Sequence, residues 1–400
     1  MPQHLPIKKH LFNNVALFAL GFRPFFLGAG LFALAGMLVW MSMLTLDGPR
    51  LASQLPVVSW HAHEMLYGYS MAVIAGFLLT AARNWTGIQT LSGWTLALLF
   101  MLWAIARVSP FLNSQYALEY MAAFDLLFAT GLWIALAVPI IRVRQWRQLG
   151  ILIKVLLLGG GNLLFYLGVI GFVENGVHLG LYTALYLIIA LILTMSRRLI
   201  PFFTEHSVSY EVKLRNRRWL DIAGLLLFLF FFVADVFVNT TSIAAALAVV
   251  LAILHSIRLT GWYTPGIWRN PLLWSLYAGY AFIITGFVLY AAGVYTAISR
   301  FLSVHAFAVG GIGLISLSMM ARVSLGHTGR NVHTPPAALT YLLIALVLST
   351  MVRVALPLID VSLYLLWIKA SQILWAWAFA GFIAVYTPFL VFPRKDGQPG

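Results

Sequence analysis

The chain has no cysteine in its 400 residues. That excludes disulfides, thiolate metal ligands, iron–sulfur clusters and blue-copper centres, so any metal must be held by His, Met, carboxylate or water. Charge is the second scarcity. Only 9% of residues are Asp, Glu, Lys or Arg, against 62% hydrophobic. Water-soluble domains carry roughly a quarter charged residues, so this composition excludes one and points to a polytopic membrane protein. No stretch is long enough to form a separate soluble domain, and residues 1–400 read as one transmembrane domain. The net charge of +14 is not a sign of nucleic-acid binding, because charges in such a chain are first placed by side of the membrane.

What is there is a succession of apolar runs, each near the ~20 residues that cross a bilayer as a helix. They fall at about 24–46, 60–82, 92–109, 117–141, 150–173, 177–196, 219–238, 243–261, 272–293, 299–321, 337–357 and 361–391. The fold class is therefore all-α, a bundle of about twelve transmembrane helices, with residues 197–218 as the largest polar loop. The first run is too long for the apolar core of a signal peptide and follows the short basic stretch of Lys8 and Lys9, so it is expected to remain as an anchor. Lys and Arg gather on one side. Of the 25, only Arg50, Arg107, Arg300 and Arg353 fall on the other, with Lys154 and Lys369 inside spans. Both termini are expected in the cytoplasm, and the protein in a bacterial inner membrane.

Polar residues in such a chain mark function by default, because an unsatisfied one in lipid is costly. The segment Trp60-His61-Ala62-His63-Glu64-Met65 stands at the mouth of the second span. His61 and His63 are about 200° apart on a regular helix, so either the entry is irregular or only one faces inward. His63 and Tyr67, four apart, share a face. His305 opens the tenth span and runs into Gly310-Gly311-Ile312-Gly313, small residues that admit a close neighbour or a flat macrocycle. Counted from the basic residue that ends each span, His63, Asp125, His178, Asp235 and His305 all lie about 25–30 Å away. His178, beside Glu174 and Asn175, also reads as an ordinary interfacial residue. Asp125 has no local partner, and the candidates are an imidazole at its depth, a proton path or Arg107. Glu64 and Asp125 are the catalytic candidates, as proton-handling groups. At the opposite end Arg23, Arg83, Arg198 and Arg322, with His206 and His327, either anchor the helices or hold anionic groups and a second metal. The second and tenth spans share a weak echo, each running inward from His to Ala-Arg (Ala82-Arg83 and Ala321-Arg322), a possible remnant of a repeat.

Several longer motifs carry a family likeness. Gly21-Phe22-Arg23-Pro24-Phe25-Phe26, Trp60 to Met65, Ile74 to Thr80 with Asn84-Trp85-Thr86-Gly87, Arg198 to Thr204 and Met320 to Arg330 together resemble the NnrS family over nearly the whole chain. The resemblance implies a bacterial inner-membrane protein of about twelve spans, containing haem and copper and linked to nitric oxide, denitrification or nitrosative stress. On that reading haem b is held by His63 and His305, within a ligand set that includes His61 and Tyr67. Copper is expected near His61, Glu64 or His178. The partners are nitric oxide, membrane lipid and an electron donor that the chain does not identify; the missing docking domain weighs against a self-sufficient reductase. The rival readings are a proton-coupled secondary transporter and a haem-based sensor without turnover.

Overall fold

The computed structural model describes residues 15–397 apart from 47, 50 and 52–54. Arg50 and the basic N-terminal stretch lie outside the described residues. The described chain is all-helical and has no strand. Twelve helices are long and apolar enough to span a membrane: α1 Phe22–Thr45, α2 Val57–Thr86, α3 Trp94–Phe111, α4 Ala117–Arg142, α5 Trp146–Val169, α6 Gly176–Ser207, α7 Arg218–Val236, α8 Thr241–Trp262, α9 Pro271–Tyr295, α10 Arg300–His327, α11 Ala338–Ile359 and α12 Tyr364–Val391. The cause is elementary. Inside hydrocarbon each backbone N–H and C=O must find a partner within the protein, and a helix supplies nearly all of them locally.

Helices α2, α6, α9 and α10 form the centre. Between 67% and 78% of their most apolar stretches is buried, against 33–50% for the other eight. The ring around them closes where α1 packs along α12. Arg23, expected as an anion-holding residue, ties this seam through one end of its guanidinium, while its Nε and Nη2 are buried without a partner among the described residues. Its Nη1 donates to the carbonyls of Phe389, Leu390 and Phe392, at 3.3, 2.9 and 2.8 Å, at the end of α12. Those carbonyls have no partner within their own helix, and a cation there also suits the helix dipole.

Two regions depart from the sequence expectation. The loop expected at 197–218 is shorter, because α6 runs on to Ser207 through Pro201. A proline inside a helix frees the carbonyl four residues earlier. That carbonyl, of Arg197, accepts from Asn216 Nδ2 at 3.2 Å, so the helix continues without an orphan. The second departure is in the helix type. Glu64–Ser70 within α2 and Ala306–Gly313 within α10 are π-helical. Such wide turns are rare and recur at functional sites. Each begins directly after a histidine, His63 or His305, so the likeness of the two spans extends to their irregularity.

Gly310 belongs to helix packing, which corrects its expected place beside a cofactor. A Cβ added there would lie 2.5 Å from Cβ of Phe282 on α9. Gly310→Ala should therefore lower stability by about 1–3 kcal/mol through overpacking. Thermal unfolding in detergent measures it, and an unshifted midpoint would show that α9 and α10 separate freely.

Candidate functional site

At the end of the bundle away from Phe22 and Val391, a cavity of about 430 Å³ lies between α1, α2, α6, α10, α11 and α12. His61 and His305 both line it. The pair that meets across this space is thus His61 with His305, which corrects the expected pairing of His63 with His305. Val57–His63 is regular α-helix, so the two-apart imidazoles point to opposite sides, and it is His61 that faces the cavity. His61 stacks on Trp40 of α1, ring centroids 4.4 Å apart and planes 6° apart. His305 is held by its own helix. Its Nδ1 is 2.7 Å from the carbonyl of Phe301. A carbonyl only accepts, so Nδ1 carries the proton and, in the neutral ring, Nε2 keeps its lone pair. That is the orientation in which a metal-binding imidazole is commonly fixed.

The cavity has a second polar wall that reading the residues alone did not single out. Arg353 of α11 donates through Nη2 to Tyr364 Oη at 3.0 Å, but its Nη1 is buried without a partner among the described residues. Gln372 of α12 is buried with both amide atoms unpartnered, and so is Nδ1 of His61. Buried polar groups are nearly always hydrogen-bonded, so four such atoms around one cavity are a signature of a ligand site. The guanidinium selects for an anionic group, a carboxylate above all. The sequence did carry a signal for Arg353, since it is one of the few basic residues on the side where they are scarce.

His63 faces away, into a separate buried cluster. Its Nδ1 is 3.2 Å from Glu64 Oε1, and its Nε2 is 2.9 Å from Asn162 Oδ1 and 3.4 Å from Asp125 Oδ2. Both ring nitrogens therefore meet acceptors, which leaves no lone pair directed at a metal. Arg107 joins the two carboxylates, through Nη1 to Glu64 Oε2 at 2.6 Å and through Nη2 to Asp125 Oδ1. Tyr166 donates to Asp125 Oδ2 at 2.7 Å. Asp125 thus has both the arginine and the imidazole for partners. With two carboxylates and one guanidinium, the cluster is electrically neutral when His63 carries a proton and singly negative when it does not. A Cβ added at Gly68 would press on the ion pair itself, 2.8 Å from Arg107 Nη1 and 2.9 Å from Glu64 Oε2.

The remaining candidates are scattered. Tyr67 donates to the carbonyl of Gly180 at 2.7 Å and joins α2 to α6, rather than lining the cavity. His178 is exposed and packs on Tyr182, centroids 4.4 Å apart. Asp235 takes hydrogen bonds from Tyr186 at 2.7 Å, Tyr290 at 2.5 Å and Arg300 at 2.5 Å. At the other end of the bundle Arg198 bonds Gln148 at 3.1 Å, while Arg322 covers the Phe203 ring at 3.7 Å and bonds Ser207 at 3.3 Å. His206 bonds the Phe202 carbonyl at 2.7 Å, and His327 packs on Phe22 with centroids 5.6 Å apart. Arg83 is near enough to His327 to act on its charge. No group of three or more His, Asp or Glu among the described residues is placed to hold a metal ion. His206 and His327, expected at a second metal centre, are not part of such a group.

The fold and the cavity can now be set beside known proteins. Comparison with curated proteins gives no match. The model of one family, described as NnrS protein, matches residues 16–394, nearly the whole chain and every one of its twelve spans. The chain belongs to the NnrS family and is a multi-pass membrane protein linked to nitric oxide.

Proposed function

We propose that this protein is a haem-containing protein of the bacterial inner membrane that binds or transforms nitric oxide, with the haem in the cavity between His61 and His305. The observation that carries the reading is the cavity itself. It presents two imidazoles and, on another wall, a guanidinium whose Nη1 is free and an unpartnered amide, both among the described residues. Haem iron takes axial His, and haem carboxylates suit an arginine, so the donor set fits. When bound, haem would supply an iron centre, which takes up nitric oxide at whichever coordination position the two imidazoles leave open.

The chain's own residues orient and balance the site. The Phe301 carbonyl holds the His305 ring, Trp40 fixes the plane of His61, and Arg353 with Gln372 receives the anionic edge. His63 and Glu64, on the other face of α2 within one helix turn of His61, form the proton-holding group with Asp125 of α4. With both termini in the cytoplasm the cavity lies in the outer half of the membrane. Copper lacks a comparable set among the described residues. Glu64 is engaged by Arg107 and His178 is packed on Tyr182, so no role is derived for that metal.

The test is spectroscopic. Protein purified in detergent from haem-replete cells should show a Soret band and about one haem-iron complement for this cavity, and the band should shift on adding nitric oxide. A colourless, iron-free protein would sink the proposal and favour a proton-coupled transporter. Nitric-oxide consumption with a quinol or artificial donor then separates an oxidoreductase from a haem-based sensor without turnover.

A further inference from the structure

A second, smaller cavity of about 90 Å³ lies deeper in the bundle, among α1, α2, α6, α9 and α10. Its wall contains no charged side chain. Save for three serines it is entirely Phe, Val, Ile, Leu and Met, and the Ser70 hydroxyl is already spent on the carbonyl of Met65 at 2.8 Å. Two residues, Ser70 and Ile312, line this pocket and the histidine cavity alike. Both sit in the π-helical segments, one on α2 and the other on α10. The wide turns thus stand at the junction of the two spaces. On its other side the pocket is lined by Ile74 and Phe77 of α2 and Ile192 and Met195 of α6, all partly exposed.

From this arrangement we infer that the small pocket is a binding station for an uncharged apolar gas, on a route that enters from lipid between α2 and α6 and leads past Ser70 and Ile312 to the histidine cavity. The space is well above the ~10–15 Å³ needed to admit one water-sized molecule, yet an apolar cavity stays dry and instead takes apolar guests such as xenon. An ion or strongly hydrated species would have to shed its water with nothing to replace it. A diatomic gas loses almost nothing, and lipid already concentrates it beside the mouth. The identification of the destination rests on the haem reading above, but the pocket's affinity for a gas does not.

Xenon is the probe that keeps the two apart. In the purified full-length protein under xenon pressure, ¹²⁹Xe exchange or anomalous scattering should place the atom between Val73, Leu276 and Ile315. Ile312→Phe at the junction should slow the binding of nitric oxide several-fold, and Ile192→Phe at the mouth should do so with the visible spectrum of the unliganded protein unchanged. The second variant changes a lipid-side residue and leaves the core intact. Xenon absent from this pocket, or a lipid chain filling it, overturns the inference. So do wild-type rates in both variants. A protein without haem would defeat the proposed function while xenon still reports on the pocket.

Discussion

On the haem reading proposed above, replacing His305 by alanine should strip the protein of most of its haem, whereas replacing His63 should leave the haem band and weaken the fold instead. The contrast follows from where the four ring nitrogens point. His305 is fixed through Nδ1 by the Phe301 carbonyl and lines the cavity. Loss even of a residue that merely orients a metal ligand costs about 10–100-fold in affinity, and loss of the ligand itself costs at least as much. His61→Ala should behave like His305→Ala, since its ring faces the same space and its Nδ1 has no other partner. In His63 both nitrogens are committed to Glu64, Asn162 and Asp125. Its removal leaves buried acceptors unpaired, at a cost of about 1–3 kcal/mol. The measurement is the ratio of Soret to protein absorbance in detergent, together with the unfolding midpoint. Haem lost from His63→Ala and kept by His305→Ala would reverse the assignment.

The largest stability effect should come from Arg107→Met. This side chain is almost completely buried and joins Glu64 to Asp125. Removing it strands two carboxylates in the apolar interior. Breaking a buried pair on one side typically costs about 3–5 kcal/mol, because the remaining charge is left without compensation. The triple change Arg107→Met, Glu64→Gln, Asp125→Asn should recover much of that loss, since no net charge is then left buried. Thermal unfolding and the yield of folded protein report both results. If Arg107→Met unfolds at the wild-type temperature, the cluster is hydrated and its ion pairs are weak. The same triple variant also separates structure from proton handling. A folded triple variant that binds nitric oxide but no longer consumes it would place the carboxylates in turnover, provided the wild-type protein turns over.

The arginines show what a one-dimensional reading does well and where it stops. Arg300 and Arg353 stand out in the sequence only as exceptions to the concentration of basic residues on one side, and Arg107 as that and as a candidate partner of Asp125. Each turns out to be a partner or a wall. Arg107 joins Glu64 to Asp125, Arg300 bonds Asp235, and Arg353 faces the histidine cavity. A count of charges by side reports that they are rare where they are. It cannot report that Glu64 lies across from Arg107, because the partners are 43 residues apart and meet only when α2 packs against α3.

The helices themselves were legible for a local reason. Each span is long and apolar by its own composition, and lipid leaves the backbone no alternative to a helix. That is why the number of spans, their order and the family likeness can be read from the chain alone. Depth is nearly as local, since it follows from counting at a fixed rise along a helix, and His63 and Asp125, counted to one level, lie 3.4 Å apart. Direction around the helix is another matter. It depends on phase, and the π-helical turns after His63 and His305 change the phase in a way that regular 3.6-residue periodicity does not anticipate. Whether His61 or His63 meets His305 was therefore decided by tertiary structure, as were the free Nη1 of Arg353 and the Gln372 amide facing them and the small apolar pocket beneath. Cavities are what packed helices leave between them, and no stretch of sequence contains one.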